Sequence, residues 1–321
     1  MIFVNIRLSC GSAIALNLIE GNMVPELETA YLMLGKRCVA NCKFCAQART
    51  SKADKRLLSR VIWPKFELDD VLDKLEKCKT IKRVCIQTLS YPLLLRDLIY
   101  LIKEIRKNSS CLISSCVNPL SGEALVKLKN AGVNNIGIGL DCASKELFYK
   151  LKSGVGSLED YVKSIKKAID IFGSCTVHLI AGLGESDFEF ITCMYKLRDV
   201  GANTALFSFT PLKGIALNLG WPSINRYRAI QLARWLIVNE NANLENFEFE
   251  NGKLVRILVD EGKVEGAINS GKPFQTSGCK YCTRPFYNEL PGGPLYNYPR
   301  ELTKNEIDNV KVELKIYGVY R

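Results

Sequence analysis

Six apolar runs of five to eight residues punctuate the chain, at 30–34, 84–89, 111–117, 135–141, 176–181 and 203–210. Each has the length of a buried strand rather than of a core helix. Between them the apolar positions switch to helical spacing. Leu68, Val71, Leu72 and Leu75 share one face of 66–78, and Leu94, Leu98, Leu101, Ile102 and Ile105 share one face of the segment that Pro92 opens. A further helix runs from Ser121 through Leu125, Leu128 and Ala131 to a stop at Gly132. Ser157 with Asp160, and Ser186 with Glu189, start two more in the pattern of capped helices. The last of the series covers 226–238, with Ala229, Ile230, Leu232, Ala233, Leu236 and Ile237 as its apolar positions. Strict alternation of strand and helix predicts a parallel sheet with helices outside it: an α/β fold, closed partly or fully into a (β/α) barrel of the TIM type.

The alternation occupies 29–241 and leaves two extensions, 1–28 and 242–321. The second opens on a strand pair around the turn Asn251-Gly252, passes through Cys279-Lys280-Tyr281-Cys282 and a loop rich in proline, glycine and aromatics at 285–298, and ends in a helix at 304–314. With 321 residues, 47% hydrophobic and 24% charged, one large domain with appendages accounts for the chain. Residues 1–18 lack a basic start followed by a long apolar run. The longest apolar stretch, 93–105, is broken by Arg96, Asp97, Lys103 and Glu104, so neither a signal peptide nor a membrane span is expected. Thirteen cysteines without a secretory signal are expected to be reduced thiols or metal ligands in a cytoplasmic protein. The net charge of +11 calls for an acidic partner: nucleic acid, an acidic protein or anionic cofactors. The lysines read as spread over solvated helix faces, with no compact basic run carrying interleaved aromatics, which argues against nucleic acid.

Cys38, Cys42 and Cys45 follow the first apolar run directly, so they sit at the C-terminal end of a strand, where barrels of this type carry their chemistry. Their C-x3-C-x2-C spacing lets the backbone wrap one iron–sulfur cube with three thiolates and leaves the fourth iron open to bind a small molecule. A structural zinc site is the alternative, but no paired C-x2-C unit or histidine lies nearby. The spacing, with Phe44 before the third cysteine, resembles the signature of the radical S-adenosylmethionine (radical SAM) enzymes. That resemblance extends from Thr29 to about Leu212. It implies a [4Fe–4S] cluster on Cys38, Cys42 and Cys45 and S-adenosylmethionine as cosubstrate, cleaved to a 5′-deoxyadenosyl radical that takes hydrogen from substrate. It also implies that Phe44 packs near the adenine and Asp141 meets the ribose hydroxyls, while the Gly182-Leu183-Gly184-Glu185 segment runs beside the adenosyl group through Gly182 and Glu185. The family's Gly-Gly-Glu stretch is replaced by Ile86-Gln87-Thr88-Leu89-Ser90, which leaves Gln87 and Thr88 as candidates for the methionyl amino group. By the same resemblance the sixth strand, with Ser208 and Thr210 on one face, would present backbone to the adenine, and His178, the sole histidine, reads as a hydrogen-bonded core residue that could line the lumen.

Cys279 and Cys282 can chelate one metal, but two thiolates need a further ligand. Cys10 is the attractive choice, since it precedes the barrel as the pair follows it and the two ends could meet across the barrel mouth; a small buried hydrophobe is the other reading of it. Ser12 or Arg284 could add a fourth ligand. The stretches Ser9-Cys-Gly-Ser-Ala13, Cys45-Ala-Gln-Ala-Arg49 and Thr276-Ser-Gly-Cys-Lys-Tyr-Cys-Thr-Arg-Pro285 resemble the biotin-synthase-like subunits of two-component lipoyl synthases. This narrower resemblance implies an auxiliary [4Fe–4S] cluster that donates sulfur to an octanoyl chain. The chain would be carried on a lysine of a lipoyl carrier domain or a glycine-cleavage H-type protein. A sister radical SAM subunit and a reductant such as ferredoxin would complete the system. Lipoyl carrier domains in that family are acidic. Biotin synthase is the rival; there cysteines on strands two, three and five with an arginine hold the auxiliary cluster inside the barrel. Here Cys85 falls on the first of those positions, but Ser114 and Thr176 fall on the others, so Cys85, Cys116 and Cys175 are expected to be packing residues. An RNA-modifying radical SAM enzyme and a non-catalytic iron–sulfur carrier are the remaining alternatives.

Overall fold

The computed structural model describes residues 6–22, 26–290 and 292–320. A short strand β1 (Ile6–Leu8) and helix α1 (Cys10–Ala15) lead into β2 (Thr29–Leu34). Three two-residue strands follow the cysteine loop: β3 (Leu57–Leu58), β4 (Val61–Ile62) and β5 (Lys65–Phe66). Alternation then sets in with α2 (Leu68–Lys77), β6 (Arg83–Thr88), α3 (Leu94–Asn108), β7 (Leu112–Val117), α4 (Gly122–Ala131) and β8 (Asn135–Asp141). Helices α5 (Lys145–Leu151) and α6 (Leu158–Phe172) precede β9 (Cys175–Ala181), and α7 (Asp187–Asp199), β10 (Ala202–Ser208) and α8 (Ile224–Asn239) complete the series. The hairpin β11 (Phe247–Glu250) and β12 (Lys253–Ile257), then α9 (Glu261–Ser270) and α10 (Lys304–Tyr317), make up the C-terminal part.

The main sheet runs in the order β10-β9-β8-β7-β6-β2-β1-β5. The six strands from β10 at one edge through β2 are parallel, and β1 pairs antiparallel with β2 and with β5 at the other edge, so the arc is a partial barrel. All six expected strands are present within about two residues of their expected ends. Ser157 and Ser186 cap α6 and α7 in reciprocal capping boxes, and Gly132 closes α4 in the left-handed conformation. β1 went unforeseen because three residues are too few to show a period. Residues 1–28, read as an extension, therefore contribute a strand to the main sheet.

Alternation along β2 assigns the two faces of the arc. Ala30, Leu32 and Leu34 join the large core beneath the helices. Tyr31 and Met33 face the lumen, with Trp63, Cys85 and Leu89. The C-terminal loop enters the same lumen: Leu206 N–H donates to Ser277 Oγ at 2.8 Å, Thr29 Oγ1 to the Tyr281 carbonyl at 2.6 Å, and Arg83 Nε to the Lys280 carbonyl at 2.9 Å. Thr29 and Arg83 begin β2 and β6, so the loop closes the floor of the barrel. The two chain ends approach the floor and not the mouth expected from the sequence: Thr29 and Arg83 hold the C-terminal loop there, and β1, antiparallel to β2, leads to Ser9, whose N–H donates to the Tyr31 carbonyl at 3.1 Å near the start of β2.

Candidate functional site: two thiol sets in one barrel

The cysteine loop is held from three sides. Arg7 of β1 is buried and donates to the carbonyls of Gly35 (3.2 Å) and Lys55 (2.6 Å), tying the loop's two ends, and to Gln47 Oε1 (3.2 Å). Gln47 donates in turn to the carbonyls of Lys55 and Leu57 at 2.8 and 2.5 Å. The end of α5 and the connection to α6 accept from Lys43 N and Asn41 N through the Leu151 and Ser153 carbonyls, each at 2.8 Å, and the 211–217 loop donates Leu217 N to the Lys43 carbonyl. Gly214 makes the last approach possible: at φ +92° its Cβ would stand 2.6 Å from Ala53 N.

Burial pushes the Cys42 thiol up to about 12 and the Cys45 thiol up to about 11, with the other cysteines of the loop contributing to both shifts. Such thiols stay protonated at neutral pH until a cation displaces the protons. The three donors share one cavity and fit an iron–sulfur cluster. The cavity, about 220 Å³, is also lined by Phe44, Gln87, Thr88, Asp141, His178, Ser208 and Thr210, so most of the residues expected at the site converge there. Gln87 donates its amide to Cys85 and Cys116 (3.2 and 3.1 Å), and Thr88 donates to the Cys116 carbonyl at 2.8 Å. Asp141 follows an irregularity in β8 at φ +65°, which turns its carboxylate back toward Lys152 Nζ at 2.7 Å. Burial alone would lower the Lys152 pKa, but Asp141, then Tyr161 and Cys42, raise it above its usual value; the ammonium is a fixed buried cation behind the cysteine loop. Burial pushes His178 down to about 4, so a neutral imidazole faces the lumen, with Nε2 3.8 Å from Cys116 Sγ.

Gly182 and Glu185 lie outside the cavity lining. The Glu185 carboxylate accepts from Gly182 N and Leu183 N at 2.8 and 2.9 Å and pairs with Arg226 at 3.0 Å, so it braces the turn after β9 instead of facing a cofactor. Gln47, Ser59, Asn118 and Asn288 line the cavity without having been expected there. Of these only Gln47, inside the Cys45-Ala-Gln-Ala stretch, carried a signal in the sequence.

The second thiol set lies on the floor. Cys279 Sγ is 3.6 Å from Ser114 Oγ and 3.8 Å from Thr176 Oγ1, and Cys282 Sγ is 3.7 Å from the Tyr31 hydroxyl. The strands offer hydroxyls at those positions, and the loop brings the sulfur. Cys85 and Cys116 lie 3.9 Å apart on the lumen side, Cys85 buried in the cluster of Tyr31, Met33 and Trp63 and Cys116 lining the cavity, whereas Cys175 is fully buried in the core; Cys85 and Cys175 are thus enclosed as packing residues would be, and Cys116 is not. Two buried N–H groups around this set, Trp63 Nε1 and Arg284 Nε, have no partner among the described residues. Arg284 also stacks on Phe207 at 3.9 Å. Unpaired buried donors beside thiols suit a group rich in acceptors, such as an iron–sulfur centre. Cys10 opens α1, with no hydrogen bond to the pair among the described residues, and Ser12 Oγ is committed to Tyr31 N at 2.7 Å and to Ser9. Among the described residues, no three His, Cys, Asp or Glu are drawn tightly enough together to hold a metal ion without side-chain movement. No described helix is long and apolar enough to cross a membrane.

The radical SAM superfamily profile matches residues 32–194, half of the chain and all of the loop just described. The chain belongs to the radical SAM superfamily. Among relatives, a probable GTP 3′,8-cyclase of Methanocaldococcus jannaschii is 28% identical over 192 residues, 59% of this chain and 61% of that protein. A biotin synthase of Streptomyces coelicolor is 26% identical over 191 residues, 57% of this chain and 45% of that protein. The match thus covers less than two thirds of either relative. In solved structures, the FeFe-hydrogenase maturase HydG of Carboxydothermus hydrogenoformans superposes with a TM-score of 0.55 at 16% identity, over 72% of this chain and 56% of that one. Methylornithine synthase gives 0.54 at 13% identity, over 71% and 66%. These likenesses concern the fold, the partial barrel of radical SAM enzymes.

Proposed function

We propose that this radical SAM enzyme inserts sulfur into the octanoyl chain of an octanoyl-lysyl carrier protein, as a subunit of a two-component lipoyl synthase. The observation that carries the reading is the second thiol set, Cys279 and Cys282, facing the lumen whose mouth holds Cys38, Cys42 and Cys45. When bound, a [4Fe–4S] cluster on the mouth cysteines supplies the electron that cleaves S-adenosylmethionine to a hydrogen-abstracting radical, and an auxiliary cluster on the floor pair supplies the sulfur. The protein's part is to position and to exclude water. Asp141, held by Lys152, offers a carboxylate to the ribose hydroxyls, Phe44 a flat face to the adenine, and Gln87 and Thr88 their side-chain oxygens to the amino group. Met33, Leu89 and Phe207 line the cavity with apolar surface that suits an aliphatic chain.

Sulfur insertion into dethiobiotin is the second reading, supported by the biotin synthase relatives and by Cys85 in the lumen. Protein reconstituted anaerobically is incubated with S-adenosylmethionine, reductant and either an octanoyl-lysyl peptide or dethiobiotin, and product masses are read. The lipoyl reading predicts 5′-deoxyadenosine and one added sulfur on the peptide. Sulfur on dethiobiotin alone would sink it.

A further inference from the structure

The charge of the chain is not evenly spread. Residues 35–60, the cysteine loop and its flank, carry eight basic side chains against the single acidic Asp54, whereas the whole chain has 44 against 33. Three of the eight are satisfied within the fold: Lys55 Nζ donates to the carbonyls of Ala46 and Ala48, Arg56 pairs with Asp54, and Arg60 donates to the Phe286 carbonyl. The other five, Lys36, Arg37, Lys43, Arg49 and Lys52, are exposed. The exposed Lys213 joins them, because Lys52 N donates to the carbonyl of the adjacent Gly214 at 2.8 Å. None of the six makes a salt bridge or a side-chain hydrogen bond among the described residues. Between them in sequence stand Cys38, Cys42, Phe44, Cys45 and Leu212, which line the cavity. The free cations are therefore carried, as a collar of exposed side chains, by the same loops that line the mouth of the cavity.

We infer that this collar is the docking surface for an acidic protein that presents its modified side chain to the cavity, an inference that rests on the carrier-bound substrate proposed above. Charge complementarity of this kind steers encounter and sets orientation, and it weakens with salt beyond about 10 Å. Positive charge alone would also suit nucleic acid. The collar, however, contains no exposed aromatic on which bases could stack: Phe44 is the sole aromatic of 35–60, and it faces the cavity. A protein partner is the better fit.

The test compares two forms of one substrate, an octanoylated carrier domain of net negative charge and an octanoyl-lysyl tripeptide, with wild type and with Arg49→Glu/Lys52→Glu/Lys213→Glu. The expected result is a rise of about tenfold or more in KM for the domain at low salt, shrinking as salt is raised, with kcat and the tripeptide reaction unchanged. A milder Arg49→Ala/Lys52→Ala/Lys213→Ala variant should shift KM in the same direction by less. An unchanged KM for the domain, or equal losses with domain and tripeptide, would overturn the inference. Fluorescence anisotropy of the labelled domain and of a single-stranded RNA gives a readout without turnover. Binding of the domain that the triple variant weakens supports the collar even if no sulfur is inserted, in which case the substrate reading alone fails. Tighter binding of RNA, abolished by the same variant, would assign the collar to nucleic acid.

Discussion

The mouth and the floor of the barrel both display thiols, but they are built in opposite ways. At the mouth, three cysteines within eight residues share one loop, and distant parts of the chain, Arg7, Leu151, Ser153 and Leu217, only hold that loop in place. At the floor, a loop from near the C-terminus brings two thiols to hydroxyls on β7 and β9 and to a phenol on β2. The first site is local in sequence and can be recognised there. The second exists only after folding, and its surroundings could not be read from spacing.

The largest expected effect separates the two. Cys42→Ala should abolish 5′-deoxyadenosine formation, read by chromatography and mass, whereas Cys279→Ala/Cys282→Ala should retain it while losing sulfur insertion. Loss of both activities in the floor variant would mean that the two sites are not separable.

Next in size is Lys152→Met. It leaves the half-buried Asp141 carboxylate at the cavity wall without its cation and should destabilise the fold in denaturant unfolding, by less than the about 3–5 kcal/mol of a fully buried pair. Asp141→Asn added to it should recover part of the loss, and strictly additive losses would show that the pair does not interact.

His178, in the cavity lining, makes stability depend on pH. Its pKa falls from 6.5 to about 4 on folding, so between those values the unfolded chain binds more protons, and stability rises with pH through that window. Acidification from 6.5 toward 4 should therefore destabilise wild type more than His178→Gln, and equal slopes would place the imidazole in water. The smallest effect is a control remote from both thiol sets: Ser157→Ala, at the α6 capping box, should cost about 1 kcal/mol and leave both activities intact.

The strands and helices were legible because each is a run or a stripe whose period survives in one sequence. Gln87, Thr88 and Asp141, at strand ends, and Phe44, inside the cysteine motif, were singled out through the resemblance to the radical SAM family, and all four line the cavity. Lys152 was not, since nothing distinguishes it from its neighbours Lys145 and Lys150 until the irregular end of β8 turns Asp141 onto it. Glu185 was assigned to a cofactor because a glycine turn with a carboxylate looks the same in sequence whether the carboxylate faces a ligand or caps its own backbone. The basic collar escaped because its cations alternate with cavity residues in a loop that has no period.

The proposed chemistry requires the two thiol sets of one barrel to hold two separate centres. Its most direct test is the iron and sulfide content of Cys38→Ala/Cys42→Ala/Cys45→Ala protein after anaerobic reconstitution. About four irons per chain are expected on that variant, lost when Cys279 and Cys282 are also changed to Ala. A variant that binds no iron with the floor pair intact would contradict it.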